Sequence, residues 1–210
     1  ILAYQLDWLA VPHLAPDLDW EALYETCRCG RFTPVLSHKP IPGAPAWFQE
    51  RCQRDLRENQ AQHMLLYQQL EDMLAAFTAR GLAVMLVKGP AHADLVYPNP
   101  SWRPMVDIDL VVRPQDWEAS LDVLRELDFM PESSDWSDLT ETLTGQVALL
   151  KPLGPAIAAV ELHRDLRMLS ERMAVRGEVS LERAWADARE FRVGAQRCLT
   201  LAPEDAIAYA

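Results

Sequence analysis

Lysine is scarce in this sequence. Lys39, Lys88 and Lys151 are the three in 210 residues, and the remaining positive charge is arginine. The net charge is −11 and the pI about 4.9. So acidic a chain is not expected to grip long nucleic acid: no DNA partner is expected, and RNA is disfavoured. Cysteine is sparse too. Cys27, Cys29, Cys52 and Cys198 are the four. The Cys27-Arg28-Cys29 pair lacks the two-residue gap of a zinc knuckle, and no Cys or His pair completes it, so reduced thiols are expected. A run of ~18 apolar residues is missing, which excludes an expected membrane span. A secretory leader is not expected either, and a cytoplasmic placement follows as the expectation. Internal repeats and low-complexity stretches are lacking. The sequence starts at Ile1 rather than Met and stops at Ala210 within an expected helix, so it is expected to continue past both ends.

What is present is half hydrophobic, enough for one sizeable core or for a core with a smaller helical part. Asp17 is placed to cap a helix from Leu18 to Cys29, closed by Gly30. A connector with Pro34, Pro40, Pro42 and Pro45 follows. Ala46 to Arg80 has neither Gly nor Pro, and Leu56, Leu65, Leu66, Leu70, Met73, Leu74 and Phe77 recur at helical spacing. That pattern predicts one long amphipathic helix. The texture then changes. Ala83–Val87 reads as a buried strand between Gly81 and Gly89, and Pro90–Tyr97 as a short helix. Asp107–Val112 reads as a strand and Pro114–Leu127 as a helix. Gln146–Lys151 and Ile157–His163 read as a hairpin around Gly154-Pro155. Leu181–Ala188 reads as a helix, Glu190–Val193 and Arg197–Leu199 as a small hairpin through Gly194, and Pro203 opens a last helix.

The chemistry-bearing residues lie on these strands. In Asp107-Ile108-Asp109-Leu110-Val111-Val112 the alternation of a strand sends Asp107 and Asp109 to one face and Ile108, Leu110 and Val112 to the other. Two adjacent carboxylates repel unless a cation lies between them, and Mg²⁺ with a polyphosphate suits such a pair. Two solvated acids at a strand end would read the same way. Upstream, Lys88-Gly89-Pro90 joins a strand to a helix start. Gly89 permits close backbone approach, the helix start offers free N–H groups, and Lys88 adds charge for a phosphate. An ordinary turn with a solvated lysine is the alternative. In Val160-Glu161-Leu162-His163 the acid sits amid apolar residues, which is costly unless it is paired or metal-bound. Glu161 is therefore a candidate third ligand. His163 shares its face, to touch a phosphate, to hold Glu161, or as a hydrogen-bonded structural histidine.

Together these segments resemble the nucleotidyltransferase superfamily that includes DNA polymerase beta and the aminoglycoside nucleotidyltransferases. More closely, the chain resembles the uncharacterised nucleotidyltransferases over almost its whole length. The resemblance runs through Leu86-Val87-Lys88-Gly89, Tyr97-Pro98, Arg103-Pro104-Met105-Val106-Asp107-Ile108-Asp109, Val160-Glu161-Leu162-His163 and Leu199-Thr200-Leu201-Ala202-Pro203-Glu204-Asp205. Pro90 stands where the broad superfamily has Gly or Ser, and the third acid is Glu rather than Asp.

The resemblance implies an α+β fold, a nucleotidyltransferase-like mixed sheet with flanking helices preceded by an all-helical N-terminal part. The implied division is 1–80 helical, 81–200 catalytic core and 201–210 the start of a further helical region, with an apolar patch expected near Ile207 and Tyr209. It implies transfer of an NMP group, AMP if ATP is the donor, to a hydroxyl or similar acceptor on a small molecule, peptide or protein. The cofactors are two Mg²⁺ or Mn²⁺ ions with an NTP as co-substrate. Asp107, Asp109 and Glu161 would be catalytic and metal-binding. Lys88, Gly89, Arg103 and His163 would bind the nucleotide, with a structural salt bridge as the alternative for Arg103. The rival from another class is a non-catalytic nucleotide-binding or protein-interaction module on the same fold.

Overall fold

The computed structural model describes Gln5 and residues 14–131, 145–166 and 180–209. The chain divides into two compact units, Ile1–Met64 with Ala93–Met105, and Leu65–His92 with Val106–Ala210.

In the first unit, helix α1 (Trp20–Cys29) starts where Asp19, not Asp17, caps it. The Asp19 carboxylate accepts from the Ala22 amide at 2.9 Å, satisfying a donor that the first turn leaves open. Asp17 lies in the turn before it. The Pro-rich connector holds a short helix that composition concealed, α2 (Thr33–Leu36), with Pro34 in its first turn, a position that needs no N–H. Helix α3 (Ala46–Ala79) is unbroken over 34 residues, as its spacing predicts; its residues to Met64 belong to this unit and those from Leu65 to the second. Tyr24, Leu36, Ile41, Phe48 and Cys52 form this unit's buried cluster, with Trp20 edge-on to Phe48 at 5.0 Å. The segment that ends at Met105 is tied to α3 by polar side chains. Asn59 Nδ2 donates to the Ser101 carbonyl at 2.5 Å, and His63 Nε2 meets the Arg103 carbonyl at 2.7 Å. Both side chains are buried, and the bonds offset the desolvation that burial imposes.

The second unit is built on a mixed seven-stranded sheet. Its strands are β1 (Val84–Val87), β2 (Asp107–Val112), β3 (Met130–Pro131), β4 (Gln146–Leu153), β5 (Ala156–His163), β6 (Arg189–Val193) and β7 (Gln196–Thr200). The spatial order is β3-β4-β5-β2-β1-β7-β6. β4–β5 and β6–β7 are the two expected hairpins. Helices α4 (Gly89–Val96), α5 (Trp117–Glu126), α6 (Leu181–Asp187) and α7 (Pro203–Tyr209) accompany it, which makes the fold α+β. The helix expected from Pro114 starts as a 3-10 turn, Pro114–Asp116, before α5. The two-residue edge strand β3 was not expected. It is too short to carry a period of its own.

β2 lies at the middle of the sheet, antiparallel to β1 and parallel to β5. Ile108, Leu110, Val160 and Leu162 are fully buried, as strands covered on both faces require. Met85, Val87, Val111, Leu166, Ala184 and Leu201 form one core cluster, with Trp185 of α6 and Ala206 of α7 packed against it. The β6–β7 turn passes through Gly194 at φ +54, where any Cβ would strike the Glu71 carboxylate of α3. Ile207 is exposed, as expected, and the side chain of Tyr209 lies outside the described residues. Among the described residues no helix is long and apolar enough to cross a membrane. All four cysteines are free, and burial pushes the Cys52 and Cys198 thiols up to about 12, which keeps them protonated and unreactive.

A candidate metal centre on strands β2 and β5

The centre arises from a register. β2 and β5 pair in parallel with Asp107 opposite Ala159, Asp109 opposite Glu161 and Val111 opposite His163. Paired residues project to the same face of a sheet, so Asp109 and Glu161 stand side by side. His163, two residues beyond Glu161, points to the same face. One ligand atom from each of Asp109, Glu161 and His163 lies within 4.8 Å of the others. The His163 Nε2 is 3.2 Å from Asp109 Oδ1 and 3.6 Å from Glu161 Oε2. Asp109 and His163 are almost wholly buried, at 5% and 3% exposure. Glu161 is half-buried.

The electrostatics match this crowding. The Glu161 carboxyl titrates above its ordinary range, first because burial strips its water and next because the Asp109 charge stands beside it. His163 pulls the other way, the Asp107 charge adds to the rise, and Lys88 opposes it. A half-buried acid held against a buried acid is a place where a cation is favoured. The donor set, two carboxylates and one imidazole, fits a divalent ion and leaves positions for phosphate oxygens and water.

Asp107 opens β2 on the same face, two positions before Asp109, and is half-buried. It is near enough for its charge to act on Glu161, but it is not one of the three residues whose ligand atoms converge. Lys88 sits between β1 and α4 in a left-handed conformation, φ 51, and its carbonyl accepts from the His92 amide at 2.8 Å. A left-handed lysine costs roughly 1–2 kcal/mol over an ordinary backbone. The turn that brings the β1 strand end into α4 therefore holds Lys88 against its own preference. Gly89 follows as the first residue of α4. Arg103 belongs to the first unit, where its carbonyl meets His63 and its Nε is buried without a hydrogen-bond partner.

Sequence reasoning reaches one of two further polar features and not the other. The sequence offers His163 as a contact to Glu161, and its Nε2 lies against that acid and against Asp109 as well. The signal was there in the spacing of Glu161 and His163 on one strand face. The Asn59–His63 tie was missed, although two polar residues four apart among apolar helical positions mark a buried polar contact. A depression of about 570 Å³ lined by Arg183, Asp187, Arg189, Glu204 and Asp205 shares no residue with the acid cluster. Within it Arg183 lies 3.4 Å from Asp187 and 4.0 Å from Asp205.

Residues 16–210 match the model of a family described as uncharacterised nucleotidyltransferase. No curated protein and no solved structure matches the chain.

Proposed function

The chain belongs to the uncharacterised nucleotidyltransferase family, which makes it an enzyme of the nucleotidyl-transferring class, and from that premise we propose that it moves an NMP group, AMP from ATP, onto a hydroxyl or similar acceptor of a small molecule, peptide or protein. The observation that carries this reading is the register that seats Glu161 beside Asp109, because nucleotidyl transfer needs carboxylates that can share divalent cations with a triphosphate.

Each residue then has a task. Asp107 and Asp109 lie on one face of β2 and would hold the divalent ions, Mg²⁺ or Mn²⁺, that the triphosphate needs. Glu161 on the neighbouring strand would add the third carboxylate to that set. Bound ions would supply neutralisation of the leaving pyrophosphate and acidification of the acceptor hydroxyl. Lys88 and the Gly89 amide receive phosphate oxygens at the strand-to-helix turn. In the reaction the acceptor hydroxyl gives its proton to water and its oxygen bonds to the α-phosphorus as the bond from that phosphorus to the α–β bridging oxygen breaks, and pyrophosphate leaves with that electron pair.

The test is transfer of label from α-labelled NTPs, ATP first, to panels of hydroxyl-bearing small molecules, peptides and proteins, with Mg²⁺ or Mn²⁺. Asp107→Asn and Asp109→Asn should each lower transfer by ~100-fold or more while circular dichroism stays that of the wild type, since the lost interaction is with metal and transition-state charge. Near wild-type turnover in either variant removes that residue from the catalytic set.

A further inference from the structure

We infer that His163 is itself a metal ligand, and that the Asp109–Glu161–His163 set selects Mn²⁺ over Mg²⁺. The inference rests on the metal-assisted reading above and gives the ion its identity.

Three observations carry it. The first is the donor set. Mg²⁺ is a hard ion that prefers carboxylate, phosphate and water oxygens and gives up its waters reluctantly. An imidazole nitrogen adds little for Mg²⁺ and more for a first-row divalent ion, and among those ions Mn²⁺ is the one that, like Mg²⁺, also suits carboxylate, phosphate and water oxygens, so it fits both parts of this set. The second is spacing. His163 Nε2 stands 3.2 Å from Asp109 Oδ1 and 3.6 Å from Glu161 Oε2. Neighbouring ligands on an ion with bonds of ~2.1–2.2 Å are roughly 3.0–3.6 Å apart, so both spacings from His163 suit a shared ion, and all three ligand atoms lie within 4.8 Å of one another. The third is burial. His163 and Asp109 are 3% and 5% exposed, locked by the sheet rather than waving at a rim. A ligand already stripped of water and fixed in direction does not have to be ordered when the ion arrives.

The His163 Nε2 is turned onto the two carboxylates, where an ion bound between them must meet it. Neither carboxylate alone could discriminate the two ions, so the selectivity resides in one side chain.

The experiment is pulsed electron paramagnetic resonance on the full chain loaded with Mn²⁺, beside competition titrations of Mn²⁺ and Mg²⁺ read by calorimetry. The expected result is a nitrogen coupling of a directly bound imidazole, with Mn²⁺ binding ~10-fold or more tighter than Mg²⁺. His163→Gln should abolish the coupling and weaken Mn²⁺ by ~10-fold or more while changing Mg²⁺ affinity little. Should His163→Gln fail to fold, wild-type protein labelled with ¹⁵N-histidine answers the same question, since the coupling must change from the ¹⁴N to the ¹⁵N pattern. Mn²⁺ bound without nitrogen coupling, a coupling that survives His163→Gln, or equal affinity for the two ions overturns the inference. Nucleotidyl transfer with either ion would then still stand on its own assay. Absence of any divalent binding would overturn both.

Discussion

Lys88 pairs a backbone conformation that lysine disfavours with a charge next to the candidate centre. Lys88→Ala and Lys88→Gly remove the same side-chain interactions, but only glycine is at ease at φ 51. The glycine variant should therefore be more stable than the alanine variant by about 1 kcal/mol in denaturant titration, while both lose NTP affinity alike. Equal NTP binding by wild type and both variants would leave Lys88 a turn residue without a donor role. Glu161 gives a second test. Its folded-state pKa is raised by burial and by Asp109. A raised carboxyl contributes stability below its unfolded pKa that is lost as pH rises through the folded pKa. At pH 8 without metal, the ionised Glu161 thus weighs against the fold, and Glu161→Gln should melt higher than wild type. With Mn²⁺ or Mg²⁺ added, the order should reverse. A lower metal-free melting temperature for the glutamine variant would show that the carboxylate is net favourable in the empty fold.

At the scale of elements, the polar residues of α3 set a pH limit of their own. His63 is buried on this helix against the Arg103 carbonyl. Burial holds its pKa below the ordinary histidine value, and the Arg103 charge acts in the same direction, against the opposing pulls of the Arg103 carbonyl and the Asp94 charge. The folded state therefore keeps His63 neutral where the unfolded chain would protonate it. That contribution to stability is complete above pH ~6.5 and is lost as pH falls below it. The melting temperature should drop between pH 7 and 5, and the drop should be smaller in His63→Gln. An identical slope in the two proteins would assign the pH dependence elsewhere. The period of α3 was plain in the sequence, because its stripe of Leu66, Leu70, Met73, Leu74 and Phe77 repeats every turn. The Asn59 and His63 bonds were not, because their partners lie about 40 residues further along the chain.

At the scale of the whole molecule, a ligand that binds only the folded chain must raise its stability. A nucleotide at about a hundredfold excess over its Kd adds about 2.7 kcal/mol. Thermal melting with each NTP and divalent ion should show stabilisation that needs both together and that Asp109→Asn loses. Equal shifts with and without the ion would separate nucleotide binding from the carboxylates.

The sequence by itself determined which residues share a face. A period of two sends Asp107 with Asp109, and Glu161 with His163, whatever the rest of the chain does. It determined the hairpins as well, since their turns lie between adjacent strands, and it marked Lys88-Gly89 as a strand-to-helix junction. The tertiary structure alone decided that β5 lies parallel beside β2 and in the register that sets Glu161 against Asp109 and turns the His163 nitrogen onto both. A slip of one residue would have sent Glu161 and His163 to the opposite face. Local periodicity is a property of neighbouring residues. Register between residues some 50 positions apart is chosen by burying Ile108, Leu110, Val160 and Leu162 together, and no short window of sequence contains that choice.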